Sequence, residues 1–385
     1  MIATEDPPAI NTSRQRNVLT LVGNGFDLQA LKHFNAATST SYQDFHRFAH
    51  PRLIGNTNPI FEEIRRVRLG PPADPDWSDI EVAISNLDPS TFHYRDLKAP
   101  LTEVRSAFSR FLNHAVNPDI MAELDAYVSS NGISIHSFAH LLEDIEDPGF
   151  LGSLTDTGFG SHHTDFNFRF VNFNYTSLLD NYLHLDPLQY DPQPYKVSSN
   201  DFRFNDDPLA LLTPDTADNV QSCTLRTSVI HPHGQQAIPR SMLFGTGEIL
   251  DPTTPRARVT KPFWARYIER YSVDIERADL FILFGCSIGE SDAWWWRHIA
   301  SALTSNPSKH LIIYSYGNRD RHATLELFFE RAGITSSEGK AIALQMHVVN
   351  YNSSTDHTYL GFAPECTKCR TDPKGLGYRL LSEYD

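Results

Sequence analysis

Four short polar clusters in this chain carry residues suited to holding or cleaving a nucleotide. The first is Gly23-Asn24-Gly25-Phe26-Asp27-Leu28, directly after the apolar run Val18-Leu19-Thr20-Leu21-Val22. Two glycines one residue apart let the backbone turn sharply and approach a ligand closely. A helix opening near Phe26 would aim its free N–H groups and the positive end of its dipole at an anion such as a phosphate. The dinucleotide pattern asks for a third glycine where this chain has Leu28, so a plain strand–helix turn also accounts for these residues. The second cluster is Asn172-Phe173-Asn174-Tyr175-Thr176. Strand alternation puts Asn172 and Asn174 on one face, and either amide would hold a water or a ribose hydroxyl at a strand exit. An asparagine there equally caps the next helix. The third is His231-Pro232-His233-Gly234. The His233 imidazole titrates near neutrality and suits a general base, with Gly234 giving a ligand room. A loop histidine that satisfies backbone is the alternative. The fourth runs from Gly285 through Cys286, Ser287, Ile288 and Gly289 to Asp292, whose carboxylate either reaches a ribose hydroxyl or caps the helix starting at Trp294.

The elements that must position these clusters are mostly strands apolar throughout. Besides Val18–Val22 they are Asp165–Phe173, Thr227–Ile230, Met242–Phe244, Leu280–Phe284, His310–Tyr314 and Ile342–Met346. Strands of this kind alternating with helices predict a parallel sheet covered on both faces, an α/β, Rossmann-like architecture. Ligands of such sheets gather beyond the C-terminal strand ends, where this chain places its glycines and polar groups strand after strand. Residues 1–16 read as a frayed tail. Ser41 with Asp44 three residues on resembles a capping box opening a helix that carries Phe45 and Phe48 on one face. Residues 56–150 read as a helical insertion, with helices over 62–69, 101–116 and 120–129, and Gly149 to His163 reads as a Gly/Ser/Thr loop. Residues 186–222 form an irregular excursion inside a domain spanning 17–385. A helix is expected over about 322–332.

At 385 residues, with 40% hydrophobic and 11% aromatic content, the chain has the makings of a folded globular protein. A net charge of −14 argues against a general grip on nucleic-acid backbone. No apolar run reaches membrane-spanning length, and the acidic, proline-rich start is unlike a signal peptide. Four cysteines do not make a disulfide framework. These features predict a cytoplasmic protein. Cys366-x-x-Cys369 has zinc-ribbon spacing without a second pair, so no metal is expected. In Trp294-Trp295-Trp296, positions 100° apart on a helix should let at most two rings face the core, leaving one for a lid or an interface.

In order along the chain, these segments resemble the bacteriophage abortive-infection AbiH family. The likeness rests on Gly23–Leu28 with Thr40-Ser41-Tyr42-x-Asp44-Phe45, on Trp77-Ser78-Asp79-Ile80-Glu81, and on Asn172–Thr176. It continues through His233-Gly234, Phe244-Gly245 and Phe284–Asp292, spanning roughly residues 17 to 315. The same order is distantly similar to SIR2-like NAD-binding domains. The resemblance implies a phage-defence effector that binds, and hydrolyses at the N-glycosidic bond, NAD or a related nucleotide. Asn174 then falls on the asparagine that positions the attacking water, and His233 on the base toward a ribose hydroxyl. Gly23, Asn24, Gly25, Phe26 and Asp27 fall on the nucleotide-holding turn. Asn172 and Tyr175 line the second turn; Gly285, Ser287 and Asp292 belong to the late loop. Asn24 stands where such domains carry alanine, Thr176 where they carry aspartate, and Gln235 where serine follows the His-Gly pair.

Two other readings stay open at this stage: a nucleotide sensor without turnover, and a nuclease acting on RNA. A phage-derived trigger or partner protein, and a homo-oligomer, are compatible with all three. On the phosphate-cradle reading, Gly25→Val weakens nucleotide binding and leaves folding largely intact.

Overall fold

The computed structural model describes residues 15–53, 58–69, 79–87, 96–131, 133–139, 141–159, 165–184, 224–247, 260–317 and 319–362. The tail up to residue 14, the excursion 186–222, Trp77, Ser78, Cys366 and Cys369 lie outside the described residues.

Six strands form one sheet: β1 (Gln15–Val22), β2 (Asp165–Asn172), β3 (Thr224–Ile230), β4 (Leu280–Phe284), β5 (His310–Tyr316) and β6 (Met346–Tyr351). Their order is β3-β2-β1-β4-β5-β6, and every neighbouring pair is parallel. This is the doubly wound arrangement, whose strand order reverses between β1 and β4, and ligands of such sheets gather beyond the C-terminal strand ends at that point. Both faces are covered. Val18, Val22, Ile282 and Phe284 pack under helices Asn24–His33 and Leu178–His184 together with Tyr359. Leu19, Leu21, Phe281 and Leu283 pack under helices Tyr267–Arg277 and Ala293–Ser305. The helices between Tyr42 and Leu154 fill the β1–β2 crossover. Part of them builds a third core around Phe45, Phe108 and Phe111, which also takes in Tyr175 and Phe244 from the sheet side.

Several expectations are corrected. β1 begins at Gln15, so the last two residues assigned to the tail belong to the sheet. Met242–Phe244 is no strand; a single bridge joins the next residues, Thr246 to Thr260. Residues 342–346 close a helix and a 3₁₀ turn, and β6 starts only at Met346. The stretch expected as a loop from Gly149 holds helix Pro148–Leu154, opened by the Asp147 carboxylate accepting from Gly149 and Phe150 N–H, and a π turn over Thr155–Phe159. Burial would raise the Asp44 pKa, but the carboxylate is held below its usual range chiefly by Ser39, whose N–H and Oγ donate to it, with Arg47 and Ser41 adding to the effect, while Ser41 Oγ takes the Asp44 N–H. All three tryptophans of Trp294–Trp296 are buried. Their helix is enclosed on several sides, with Trp294 against Tyr267, Trp295 against Tyr271 and Phe173, and Trp296 Nε1 donating to the Gly289 carbonyl.

Candidate functional site

The glycine turn sits where the strand order reverses, but its glycines serve the protein before any ligand. Gly23 N–H donates to the Phe284 carbonyl and Gly25 N–H to that of Gly285, each at 2.9 Å. A Cβ on Gly25 would lie 2.5 Å from Gly285 Cα, and one on Gly23 2.5 Å from the Gly285 oxygen. The loops after β1 and β4 are thus interlocked through bare backbone, and two of the N–H groups expected to cradle a phosphate are already used. Asn24 accepts from Thr40 Oγ1 at 2.7 Å and so ties the helix start to the loop before Tyr42. Phe26 is fully buried against Tyr182 and Phe284.

One helical turn further in, Asp27 is buried beneath the second polar cluster. Its Oδ1 accepts from Asn174 Nδ2 at 2.9 Å and its Oδ2 from Thr176 Oγ1 at 2.6 Å. Burial raises its pKa to about 7, against the pull of those two hydrogen bonds. A carboxyl whose pKa is raised on folding costs stability as pH climbs from its ordinary value through the raised one. Asp27→Asn is therefore expected to raise the melting temperature relative to wild type more at pH 8 than at pH 5. An offset that does not change between those pH values would contradict the buried, titrating carboxyl.

Asn174 Nδ2 donates also to the Gly23 carbonyl at 3.0 Å. Asn172 accepts from the Asn174 N–H at 3.0 Å, so it shapes the turn, while its own Nδ2 is buried without a partner among the described residues. The Tyr175 hydroxyl donates to the Leu243 carbonyl at 2.7 Å, binding this turn to the Met242 segment.

The third and fourth clusters meet. His233 stacks on Phe173 with ring centroids 4.9 Å apart, and its Nε2 lies 2.8 Å from Tyr267 Oη and 3.3 Å from Asp292 Oδ1. Gly234, at φ 86°, turns its bare face to the Ser241 backbone rather than to a ligand. Asp292 makes no cap to its helix; its Oδ1 faces Lys261 Nζ at 3.3 Å. Lys261 is completed by Glu81 Oε1 at 3.0 Å and Ser291 Oγ at 3.2 Å. Burial alone would neutralise these groups, but mutual attraction reverses that for two of them. Desolvation pushes Asp292 up, yet Lys261 and His233 hold it well below the usual carboxylate range. Desolvation lowers Lys261, and the two carboxylates more than restore it. For Glu81 burial wins and the pKa rises. For His233 burial and the Lys261 charge together outweigh Asp292, lowering the pKa and favouring a neutral imidazole. Asp292 keeps 17% of its side chain exposed, whereas His233 keeps 3%. Ser287 is exposed on the same loop, and Ile288 beside it is held at φ 55°, which a β-branched residue rarely adopts.

Of the residues expected from sequence, His233 and Asp292 are brought into contact, and Asn174 joins Asp27 and the glycine turn. Burial pushes Tyr175 well above the usual range, Glu81 and Asp292 adding to the rise, so its hydroxyl stays protonated on the same side of the sheet. Sequence reasoning missed Lys261 and Tyr267 and gave Glu81 no role. Glu81 comes from the helical insertion, in helix Asp79–Asn86, so the insertion completes the polar cluster of the sheet. Two surface clefts lie elsewhere: one along the exposed side of helix Lys98–Ala115, the other at the N-terminal ends of β1 and β2.

An α/β sheet of this order with its polar residues gathered where the strand order reverses defines a Rossmann-like protein. The chain belongs to the bacteriophage abortive infection AbiH family, whose model matches residues 19–314, and so to proteins of phage abortive infection. No curated protein matched the sequence. No described helix is long and apolar enough to cross a membrane.

Proposed function

We propose that this abortive-infection protein binds NAD or a related nucleotide at the β1/β4 crossover and hydrolyses its N-glycosidic bond. The observation carrying this reading is the pairing of a neutral, buried imidazole with an ionised, partly exposed carboxylate, His233 with Asp292, on the strand-end side where Asn174 meets the glycine turn. Water adds to the anomeric carbon, the C–N bonding pair leaves with nicotinamide, which departs neutral, and one proton must be taken up. Asp292 is the accessible group: it accepts from a ribose hydroxyl and its charge favours a cationic, oxocarbenium-like ribose. The proton released by the attacking water passes to Asp292 and from its Oδ1 to His233 Nε2, 3.3 Å behind it. Asn174 Oδ1, with no partner among the described residues, holds the water. The chemistry asks for no metal. Bound phosphates would meet what the interlocked loops leave open, since Gly23 and Gly25 N–H are spent.

A second reading, nucleotide sensing without turnover, draws on the burial of His233 and the Tyr267 hydroxyl already on its Nε2. Purified protein mixed with NAD decides between them. Hydrolysis predicts nicotinamide release that falls roughly 10²-fold in Asn174→Ala and in Asp292→Asn, the scale of a positioned catalytic group, while binding changes far less. Calorimetric binding without release supports the sensor. Neither binding nor release sinks both.

A further inference from the structure

We infer that Asp27, expected from sequence to touch the nucleotide, instead positions Asn174 for water. The inference rests on the hydrolytic reading above for its consequence, but on geometry alone for the contact. An asparagine amide can point either way, and a water-holding role needs the oxygen, not the NH₂, turned to the site. Two acceptors settle that orientation. Asp27 Oδ1 and the Gly23 carbonyl both take hydrogen bonds from Asn174 Nδ2, at 2.9 and 3.0 Å, so the NH₂ group is pinned toward the helix and Oδ1 faces away from it. A flipped amide would set its oxygen against the Gly23 carbonyl oxygen and, with Asp27 ionised, against a carboxylate oxygen as well.

Asp27 is itself held. It lies on the first turn of helix Asn24–His33 and is 1% exposed, and its second oxygen accepts from Thr176 Oγ1. A carboxylate this deep has no path to a ligand, which removes it from the binding surface. The interaction with Asn174 needs an acceptor, not a charge. An asparagine at 27 supplies one through its own oxygen and turns its NH₂ to the Thr176 hydroxyl, which can accept. The titratable groups facing Asp27 are Asp180, from helix Leu178–His184, and His231, just after β3; His231 Nε2 lies 2.9 Å from Asp180 Oδ1.

Three variants test this, read by turnover and by the ¹⁵N spectrum of the Asn174 side-chain amide, which reports orientation whether or not NAD is cleaved. In Asp27→Ala the Asn174 NH₂ pair should shift and exchange faster with water. Turnover should drop about 10- to 100-fold, as for a reacting group misplaced by an ångström, with KM within a few-fold. Asp27→Asn should retain the ordered amide and most of the turnover. If Asp27→Ala fails to fold, Thr176→Val reads the same unit: it frees Asp27 Oδ2 and should shift the Asn174 pair without abolishing its protection. An Asn174 amide unchanged in Asp27→Ala, or Asp27→Asn as inactive as a folded Asp27→Ala, would overturn the assignment. Wild type inert toward NAD but with the amide responding as stated would leave the positioning intact and refute the hydrolytic reading instead.

Discussion

Lys261→Met should cost about 3–5 kcal/mol of folding stability at neutral pH, the usual penalty for removing one partner of a buried ion pair. The lysine is 2% exposed, and its ammonium stands between Glu81 and Asp292. Methionine fills the volume but leaves two carboxylates facing each other without a cation. The sign with pH follows from the shifts. In wild type the depressed pKa of Asp292 gives stability that is present above the ordinary carboxylate value and lost as pH falls through the depressed one. The raised pKa of Lys261 gives stability present below its ordinary value and lost as pH rises through the raised one. In the variant the carboxylates lose their reason to ionise, so protonation relieves the repulsion. The difference between variant and wild type should therefore shrink on going from pH 7.5 to pH 4.5. Urea midpoints at the two pH values measure it. A deficit that stays constant, or one under about 1 kcal/mol, would show that the cluster is solvated like an ordinary surface network.

Five of the six strands were legible, most plainly Val18–Val22, Leu280–Phe284 and His310–Tyr314, which are mostly apolar and buried on both faces, as a parallel sheet covered by helices requires, whereas β2 and β3 carry Asn167, Arg169 and Arg226 among their apolar residues. Leu280–Phe284, buried at every position, could hardly be anything else. Ile342–Met346 misled because an apolar run of five residues carries no period that separates strand from helix end. The helix Tyr267–Arg277 was missed although Tyr267, Tyr271 and Ile275 recur every four residues and are the ones buried; the pattern was there to be read. At the site, single-letter chemistry pointed to His233 and Asp292 as candidates, and the fold put them in contact. Lys261 could not be found that way. A lone lysine after Thr260 looks like any surface lysine, and its partners arrive from 31 residues further on and from a helix inserted between β1 and β2. Burial of a charge is a tertiary fact. Glu81 left a fainter trace, as one of the two acids of Trp77–Glu81, next to Ile80, which is fully buried.

Gly25→Val is the case where the fold reverses the expectation from sequence. With the glycine read as a phosphate cradle, valine should spare folding and spoil only binding. The structure puts the Gly25 Cα face against Gly285, and the approach is reciprocal. Gly285 sits at φ 63°, and a Cβ on it would lie 2.7 Å from the Phe26 nitrogen and 2.8 Å from Gly25 Cα. No flexible side chain lines this contact, so nothing can swing aside. A branched side chain must push the loops after β1 and β4 apart, break the Gly25–Gly285 hydrogen bond and disturb the crossover on which the whole site is built. The expected loss is about 3 kcal/mol or more, the upper range of overpacking. Gly285→Ala should be similarly damaging, since it also forces a left-handed backbone on a residue with a Cβ. The double variant should cost less than the two losses added, because either change alone already parts the loops. A folded Gly25→Val protein with a wild-type urea midpoint and impaired nucleotide binding would restore the cradle and refute the interlock.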